Sequence, residues 1–88
     1  DNKKVFDVHQ FWKKYNYHPD IKDLREYDII SVSEPTYIGI GKLIREEYTY
    51  KNNRKYSAMF VANAFALDRF QLYEQLNIPF LNLGKDIY

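Results

Sequence analysis

The sequence predicts one domain spanning residues 1–88 and belonging to the α+β class, with a curved antiparallel meander of three to four strands between an N-terminal and a C-terminal helix. Three observations support this prediction. Apolar residues recur at helical spacing in residues 3–16 and again in residues 64–76. The stretch between them is rich in β-branched and aromatic residues, which favour strands. Within that stretch, the pair Asn52-Asn53 suits a tight hairpin turn, because asparagine tolerates the positive φ that such turns require.

The N-terminal helix is predicted from an apolar stripe of Val5, Val8, Trp12 and Tyr15, which fall on one face at helical spacing. Two lysines follow in the last turn, where cations suit the helix dipole. After this helix, Asp20 is expected to cap a short helical turn, since aspartate is among the preferred residues at that position.

The meander is predicted to begin with a strand over residues 27–33, YDIISVS. Two longer strands are expected in residues 37–62, YIGIGKLIREEYTYKNNRKYSAMFVA, folded over the asparagine turn. In this register Tyr48 and Ser57 lie side by side on one face, and a slip of one residue would exchange the two faces. The hairpin is therefore expected to be rooted in the core, with a basic tip in water.

Two glycines in the first long strand require an explanation. Gly39 and Gly41 lie two residues apart, so we expect them to mark a bend or a close approach of the backbone. The run Gly39-Ile-Gly41-Lys42 also suggests a phosphate-binding loop. That interpretation fails, because there is no glycine at the required upstream distance and Leu43 stands where serine or threonine would bind magnesium.

The C-terminal helix over residues 64–76 is expected to be capped by Asn63 and to end before Pro79. Residues 78–83 are expected to add a short edge strand. The apolar sides of all the elements define a predicted core of Val8, Trp12, Ile30, Ile44, Phe60 and Phe70. Truncating a buried phenylalanine costs about 3–5 kcal/mol, so Phe60→Ala is expected to leave so small a domain largely unfolded.

Residues 24–76 resemble the small SH3-like barrels of the Tudor and KOW kind. The shared pattern is a polar turn and hydrophobic strand, a proline-containing loop, a glycine-containing strand, a hairpin, a strand ending in Phe-Val and a segment closing on leucine. Here it reads DIISVSEPTYIGIGKLI, KYSAMFV and FALDRFQLYEQL. The chain departs from the pattern at Tyr27, where glycine is usual before Asp28, and in a closing segment that looks more helical than extended. The resemblance implies a small barrel that binds nucleic acid, ribosomal or polymerase partners, or peptide motifs.

Composition excludes several kinds of function. Without cysteine, the chain forms neither disulfides nor thiolate metal sites. The net charge of +1 provides no strong field to steer a polyanion. His9 and His18 lie on separate predicted elements without an accompanying nucleophile, so we expect no enzyme, no metal and no other cofactor.

Residue usage also bears on origin and location. Asn, Lys, Ile, Tyr and Phe are frequent, and their codons are AT-rich, which points to an AT-rich genome such as that of a low-GC bacterium or its phages. No apolar run is long enough to span a membrane and no signal-peptide pattern is present, so we expect a cytoplasmic protein with no membrane contact.

The best candidate site is a group of cations and tyrosines near the predicted hairpin tip. Cations bind phosphates, and tyrosine rings stack on unpaired bases. The candidate nucleic-acid-binding residues are Lys51, Arg54, Lys55, Tyr48, Tyr50 and Tyr56. We therefore expect a non-enzymatic binding module whose partner is nucleic acid or a transcription, replication or translation machine. The alternatives are a protein-interaction module, such as a phage-type inhibitor that docks on a host enzyme, and a structural subunit of a larger assembly.

Overall fold

A computed structural model describes residues 3–88. In chain order the elements are strand β1 (Val5–Asp7), helix α1 (Val8–Lys14), a 3₁₀ turn (Ile21–Leu24), strand β2 (Ile29–Ser31), helix α2 (Gly39–Leu43), helix α3 (Ala58–Leu72), helix α4 (Ile78–Leu81) and strand β3 (Asp86–Ile87). A π-helical turn at Ile44–Tyr48 prolongs α2, and another at Tyr73–Asn77 joins α3 to α4. The chain is therefore helical without interruption from Ala58 to Leu81, and this segment is called the C-terminal helix.

The three strands form one parallel sheet in the order β1-β2-β3. Ile30 on the central strand is paired with Phe6 on one side and Ile87 on the other. Each strand is only two or three residues long, and the connections between them contain the helices, as parallel pairing requires. The structure thus contains both helices and a sheet, but the predicted antiparallel meander is wrong.

The predicted hairpin is also wrong, because its strands are helices in the structure. Residues 39–48 are helical, and the second predicted strand lies mostly within α3. Arginine and glutamate in the first segment and alanine and methionine in the second are good helix formers, and tertiary packing decides between helix and strand for such short apolar runs. The small barrel that the resemblance to Tudor and KOW domains implies is also wrong, since a parallel three-stranded sheet with helices is not a closed small barrel.

Local capping predictions have mixed outcomes. The side chain of Asp20 accepts a hydrogen bond from the backbone N–H of Lys22 at 3.1 Å and so caps the 3₁₀ turn, as predicted. The C-terminal helix begins earlier than expected, because the Oγ atom of Ser57 accepts a hydrogen bond from the N–H of Phe60 at 3.0 Å and caps it there. Asn63 lies exposed within the helix.

The residues after Asn77 were expected to form an edge strand. They continue the helix through Leu81 instead, and the helix ends before Gly84, whose φ of 78° is a left-handed conformation suited to glycine. The chain then returns to the sheet as β3, where the backbone N–H of Tyr88 donates to the carbonyl of Ile30 at 2.9 Å.

The hydrophobic core lies between the sheet, α1 and the C-terminal half of the C-terminal helix. It is built from Val8, Trp12, Leu24, Ile30, Ile38, Leu72, Leu76 and Phe80. Burial of Val8, Trp12 and Ile30 was predicted correctly, and Ile44 is buried as well. The predicted burial of Phe60 and Phe70 is wrong, because these side chains are 45% and 64% exposed. The helix turns Leu72 towards the core, and Phe70, two residues earlier, therefore points the opposite way.

The molecule is elongated. Its principal extents are 48 × 22 × 21 Å and its radius of gyration is 14.5 Å, whereas a compact chain of this length would have a radius of gyration of about 12 Å. The C-terminal helix accounts for the length: its second half packs on the sheet, and its first half packs mainly on α2 and the π turn that follows it.

Candidate functional site

The predicted basic-aromatic residues do come close together, on a connection between two helices rather than on a hairpin tip. Residues 49–57 lead from the π turn after α2 to the start of α3. Lys51, Arg54 and Lys55 are all exposed on this connection. Tyr50 is the most open of the three tyrosines, with 68% of its surface exposed. The predicted tight turn at Asn52-Asn53 is not formed, because among the described residues only glycines have a positive φ. Asn52 instead bends the connection, and its Oδ1 atom accepts a hydrogen bond from the N–H of Arg54 at 2.8 Å.

Two of the candidate tyrosines have a structural role. The ring of Tyr48 meets the rings of Tyr56 and Phe60 edge-on, with centroid distances of 5.0 and 4.9 Å. Tyr56 and Phe60 stack at 5.3 Å. These contacts hold the connection against the first turn of α3. Because Tyr56 stacks on Phe60, one face of the Tyr56 ring is covered and cannot stack on a base.

One of the candidate cations is already paired. The guanidinium of Arg54 binds the carboxylate of Glu47 through two hydrogen bonds, one from Nε and one of 2.8 Å from Nη2 to Oε1. The hydroxyl of Tyr56 donates to the same carboxylate at 2.5 Å. These bonds, that of Arg54 foremost, lower the pKa of Glu47 to about 2. Glu47 therefore stays charged at neutral pH and offsets the charge of Arg54.

Three of the six predicted residues, Tyr48, Arg54 and Tyr56, thus make contacts within the protein. Within residues 3–88, no carboxylate lies within ion-pair distance of Lys51 or Lys55. Lys51, Lys55 and Tyr50 are exposed, as Arg54 is, but they take no part in the ring contacts and the ion pair just described.

A second surface, which the sequence analysis missed, lies on the C-terminal helix. Its outer face consists of Met59, Asn63, Ala66, Phe70 and Tyr73, all of them exposed. Met59 is 75% exposed and Phe70 is 64% exposed. The opposite, inner face of the same helix carries Ala64, Asp68, Leu72 and Leu76, all of them buried. The helix is therefore apolar on two opposite sides, and only one of them is covered.

This double apolar character explains why the sequence analysis missed the outer face. The run AMFVANAFAL at the start of the helix contains no charge, so its first residues resemble a buried strand as much as a helix. The spacing of the outer-face residues does indicate that they share one side of a helix. Met59, Asn63, Ala66, Phe70 and Tyr73 follow one another at intervals of four, three, four and three residues.

The inner face contains one buried carboxylate, and its partners show a structural role. Asp68 accepts hydrogen bonds from the backbone N–H of Thr36 at 2.8 Å and from its hydroxyl at 2.7 Å. Both residues are almost fully buried. A Cβ atom on Gly41 would lie 2.2 Å from the Thr36 Oγ1 and 2.7 Å from the Asp68 Oδ1. The missing side chain of Gly41 thus allows the close approach of the backbone that the sequence predicts, although Gly41 lies in a helix rather than a strand. The cluster of Thr36, Gly41 and Asp68 joins α2 to α3.

The two histidines take part in packing. The Nδ1 atom of His18 accepts a hydrogen bond from Trp12 Nε1 at 3.1 Å, and the ring of His9 lies 4.3 Å from that of Tyr37. Burial lowers the pKa of His18, with an opposing contribution from the charge of Asp68. Across residues 3–88, no three histidine or carboxylate side chains are grouped so that they could hold a metal ion.

Comparison of the chain with known protein families, with curated proteins and with solved structures found no match. In the part of the chain that the structure describes, none of the helices combines the length and the apolar character needed to cross a membrane.

Proposed function

We propose that this protein is a non-enzymatic protein-binding module and that its binding surface is the outer face of the C-terminal helix. One observation supports this proposal above all others: large apolar side chains, Met59 and Phe70 foremost, stand in solvent on a helix whose opposite face is already buried in the core. The apolar stripe of a helix is normally buried against another part of the protein. A contiguous exposed apolar surface of this kind is typical of a protein-interaction site.

The composition of the face fits a protein partner better than a nucleic acid. It carries a methionine, an alanine, a phenylalanine and a tyrosine, and it contains no cation. Aromatic residues and methionine are enriched at the centres of protein interfaces, where charged residues are depleted. Phosphate recognition, in contrast, depends on lysine and arginine.

Photocrosslinking from single positions tests the proposal. With p-benzoylphenylalanine replacing Phe70, we expect one discrete protein adduct in extract of the source organism that survives nuclease treatment. The same group replacing Tyr50, which is equally exposed but lies off the face, is the matched control and should give no such adduct. Equal or absent adducts from the two positions would contradict the proposal. The proposal places this binding in the cytoplasm, and fractionation of source cells tests that location.

A nucleic-acid-binding role at residues 49–57 is a second candidate, supported by the exposure of Lys51, Lys55 and Tyr50. Replacing Lys51, Arg54 and Lys55 together by Gln should lower affinity for single-stranded nucleic acid and reduce its salt dependence. Since Glu47 already binds Arg54, the two lysines should account for most of the change. Titration of the parent and the triple variant at two salt concentrations decides this role, and absence of binding by the parent at low salt would exclude it.

A further inference from the structure

We propose that the outer face binds the same face of a second copy of this chain, as a short parallel two-stranded coiled coil over residues 59–74. This inference rests on the proposed function, because it names the partner that covers the proposed surface. Three features of the face support it: the spacing of its residues, the position of its one polar member, and the charges that flank it.

The spacing is that of a heptad seam. Intervals of four, three, four and three residues place Met59, Ala66 and Tyr73 at d positions and Asn63 and Phe70 at a positions. Side chains with this spacing form a single line along a helix that supercoils with a partner. The seam lies opposite Asp68 and Leu72 of the inner face, so a second helix can approach it without disturbing the core.

Asn63 is the one polar residue of the seam, and it occupies an a position. In parallel two-stranded coiled coils a single asparagine at a specifies the register and the number of strands, because its amide pairs with the same amide on the partner helix. On the surface of a monomer, Asn63 interrupts an apolar face for no evident reason. In the proposed dimer it sets the alignment of the two helices.

The charges beside the seam favour the parallel orientation. Arg69 occupies a g position and Glu74, five residues later, occupies the following e position. In a parallel dimer the g residue of one helix faces the next e residue of the other, so each Arg69 meets the partner's Glu74 on both sides of the seam. The guanidinium of Arg69 uses Nε to bind Glu34 at 2.8 Å, which leaves its terminal nitrogens for this contact. An antiparallel pair would instead bring like charges together.

The helix is already formed and held by its own core, so pairing requires little additional ordering. The seam is short, with a length of about 21 Å between its first and last d positions at the usual helical rise. We therefore expect a reversible dimer with a dissociation constant in roughly the micromolar range.

Single cysteines test the geometry directly, because the chain contains no cysteine of its own. In a parallel dimer each d residue faces its own copy, so Ala66→Cys and Tyr73→Cys should both form intermolecular disulfides in a glutathione buffer. Gln71→Cys, which is exposed on the same helix but off the seam, is the matched control and should crosslink roughly tenfold less. An antiparallel pair cannot place both d positions beside their own copies, so crosslinking of only one of the two variants would overturn the parallel arrangement.

Sedimentation equilibrium of the unmodified chain tests association independently. We expect a monomer–dimer equilibrium that Glu74→Lys weakens about fivefold or more at low salt, because two lysines would then face the two Arg69 side chains. A chain that stays monomeric up to about 1 mM, with no crosslinking preference at the seam, would overturn the dimer. If p-benzoylphenylalanine at position 70 then captures a different protein, the proposed function stands and only self-pairing fails; if it captures nothing, both fail.

Discussion

At the scale of single residues, Asp68 has the most demanding position. Its carboxylate is buried on the inner face of the C-terminal helix and accepts hydrogen bonds from both the N–H and the hydroxyl of Thr36. Gly41 lies against this pair with no room for a side chain. In the sequence Asp68 is one of several scattered carboxylates, and nothing in its neighbours distinguishes it from the exposed Glu74. Its role follows from the tertiary fold, which brings residues 32 positions apart into contact.

Removing this carboxylate should destabilise the protein strongly. We expect Asp68→Ala to lower the free energy of unfolding by about 2–4 kcal/mol, because it leaves the buried backbone N–H of Thr36 without its acceptor and the hydroxyl of Thr36 with only the carbonyl of Ile38. Glu74→Ala, an exposed acid on the same helix, is the matched control and should change stability by about 0.5 kcal/mol or less. Urea unfolding of dilute protein measures both, and equal midpoints for the two variants would contradict the structural role of Asp68.

The partly buried imidazole of His18 should make stability depend on pH. Burial lowers its pKa in the folded chain below the ordinary value of 6.5, so the unfolded chain binds more protons there. Stability should therefore decrease as the pH drops through 6.5 and towards the folded-state pKa, and level off below it. Protonation of Nδ1 also removes the acceptor that binds Trp12. Unfolding followed by tryptophan fluorescence, in the parent and in His18→Gln, measures the effect; a pH dependence that is unchanged in His18→Gln would exclude His18 as its source.

At the scale of elements, the C-terminal helix determines both the fold and the proposed function. Its inner face contributes Leu72 and Leu76 to the core, and its outer face carries exposed apolar residues along the regular part of α3. The sequence predicts a helix over residues 64–76, and the structure contains it within a longer one. The helix was correctly located, but its buried face was assigned incorrectly.

Paired truncations on this helix test which face is inward. Leu72→Ala should lower the free energy of unfolding by about 2–5 kcal/mol, because Leu72 is fully buried. Phe60→Ala should cost less, about 1–2 kcal/mol, since Phe60 is half exposed and loses mainly its ring contacts with Tyr48 and Tyr56. Thermal unfolding of the two variants measures the difference. A larger loss of stability from Phe60→Ala than from Leu72→Ala would mean that Phe60, and not Leu72, faces the core.

The sequence was most informative where structure is set by local chemistry. The cap at Asp20 and the buried strand around Ile30 follow from neighbouring residues alone. The pairing of the sheet could not be predicted in this way. Strands β1 and β3 are only three and two residues long, and each pairs with β2 although it lies far from β2 in the sequence. Residues 43–48 combine apolar residues, which fit a strand, with arginine and glutamate, which fit a helix, and in the structure they are helical and pack against α3.

Replacing the one polar residue of the outer face tests the proposed seam. Asn63→Val should tighten self-association about tenfold or more, because it replaces an amide by an apolar side chain at an a position. Since Asn63 is exposed in the monomer, the stability of dilute protein should change little. Concentration-dependent sedimentation measures association, with Gln71→Val as the control for added surface hydrophobicity. An equal effect of the two substitutions would contradict a specific seam.

At the scale of the whole molecule, the elongated shape and the exposed face both come from the C-terminal helix. A single copy extends 48 Å and leaves one side of its longest helix uncovered. A parallel pair would cover that side, and it would place both copies of residues 49–57 at the same end of the dimer, since each precedes the start of α3. The exposed lysines of the two copies would then lie close together.

The methyl group of Met59, the single methionine of the chain, reports most directly on whether the outer face binds a protein. With ¹³C-methyl methionine labelling it gives one NMR signal, which a soluble nitroxide broadens if the side chain is exposed. We predict strong broadening in dilute protein, and protection with a shifted signal once a protein covers the outer face, whether a second copy at high concentration or a partner in cell extract. A signal that is equally broadened in dilute protein, in concentrated protein and in extract would contradict the central claim that the outer face of the C-terminal helix is a protein-binding surface.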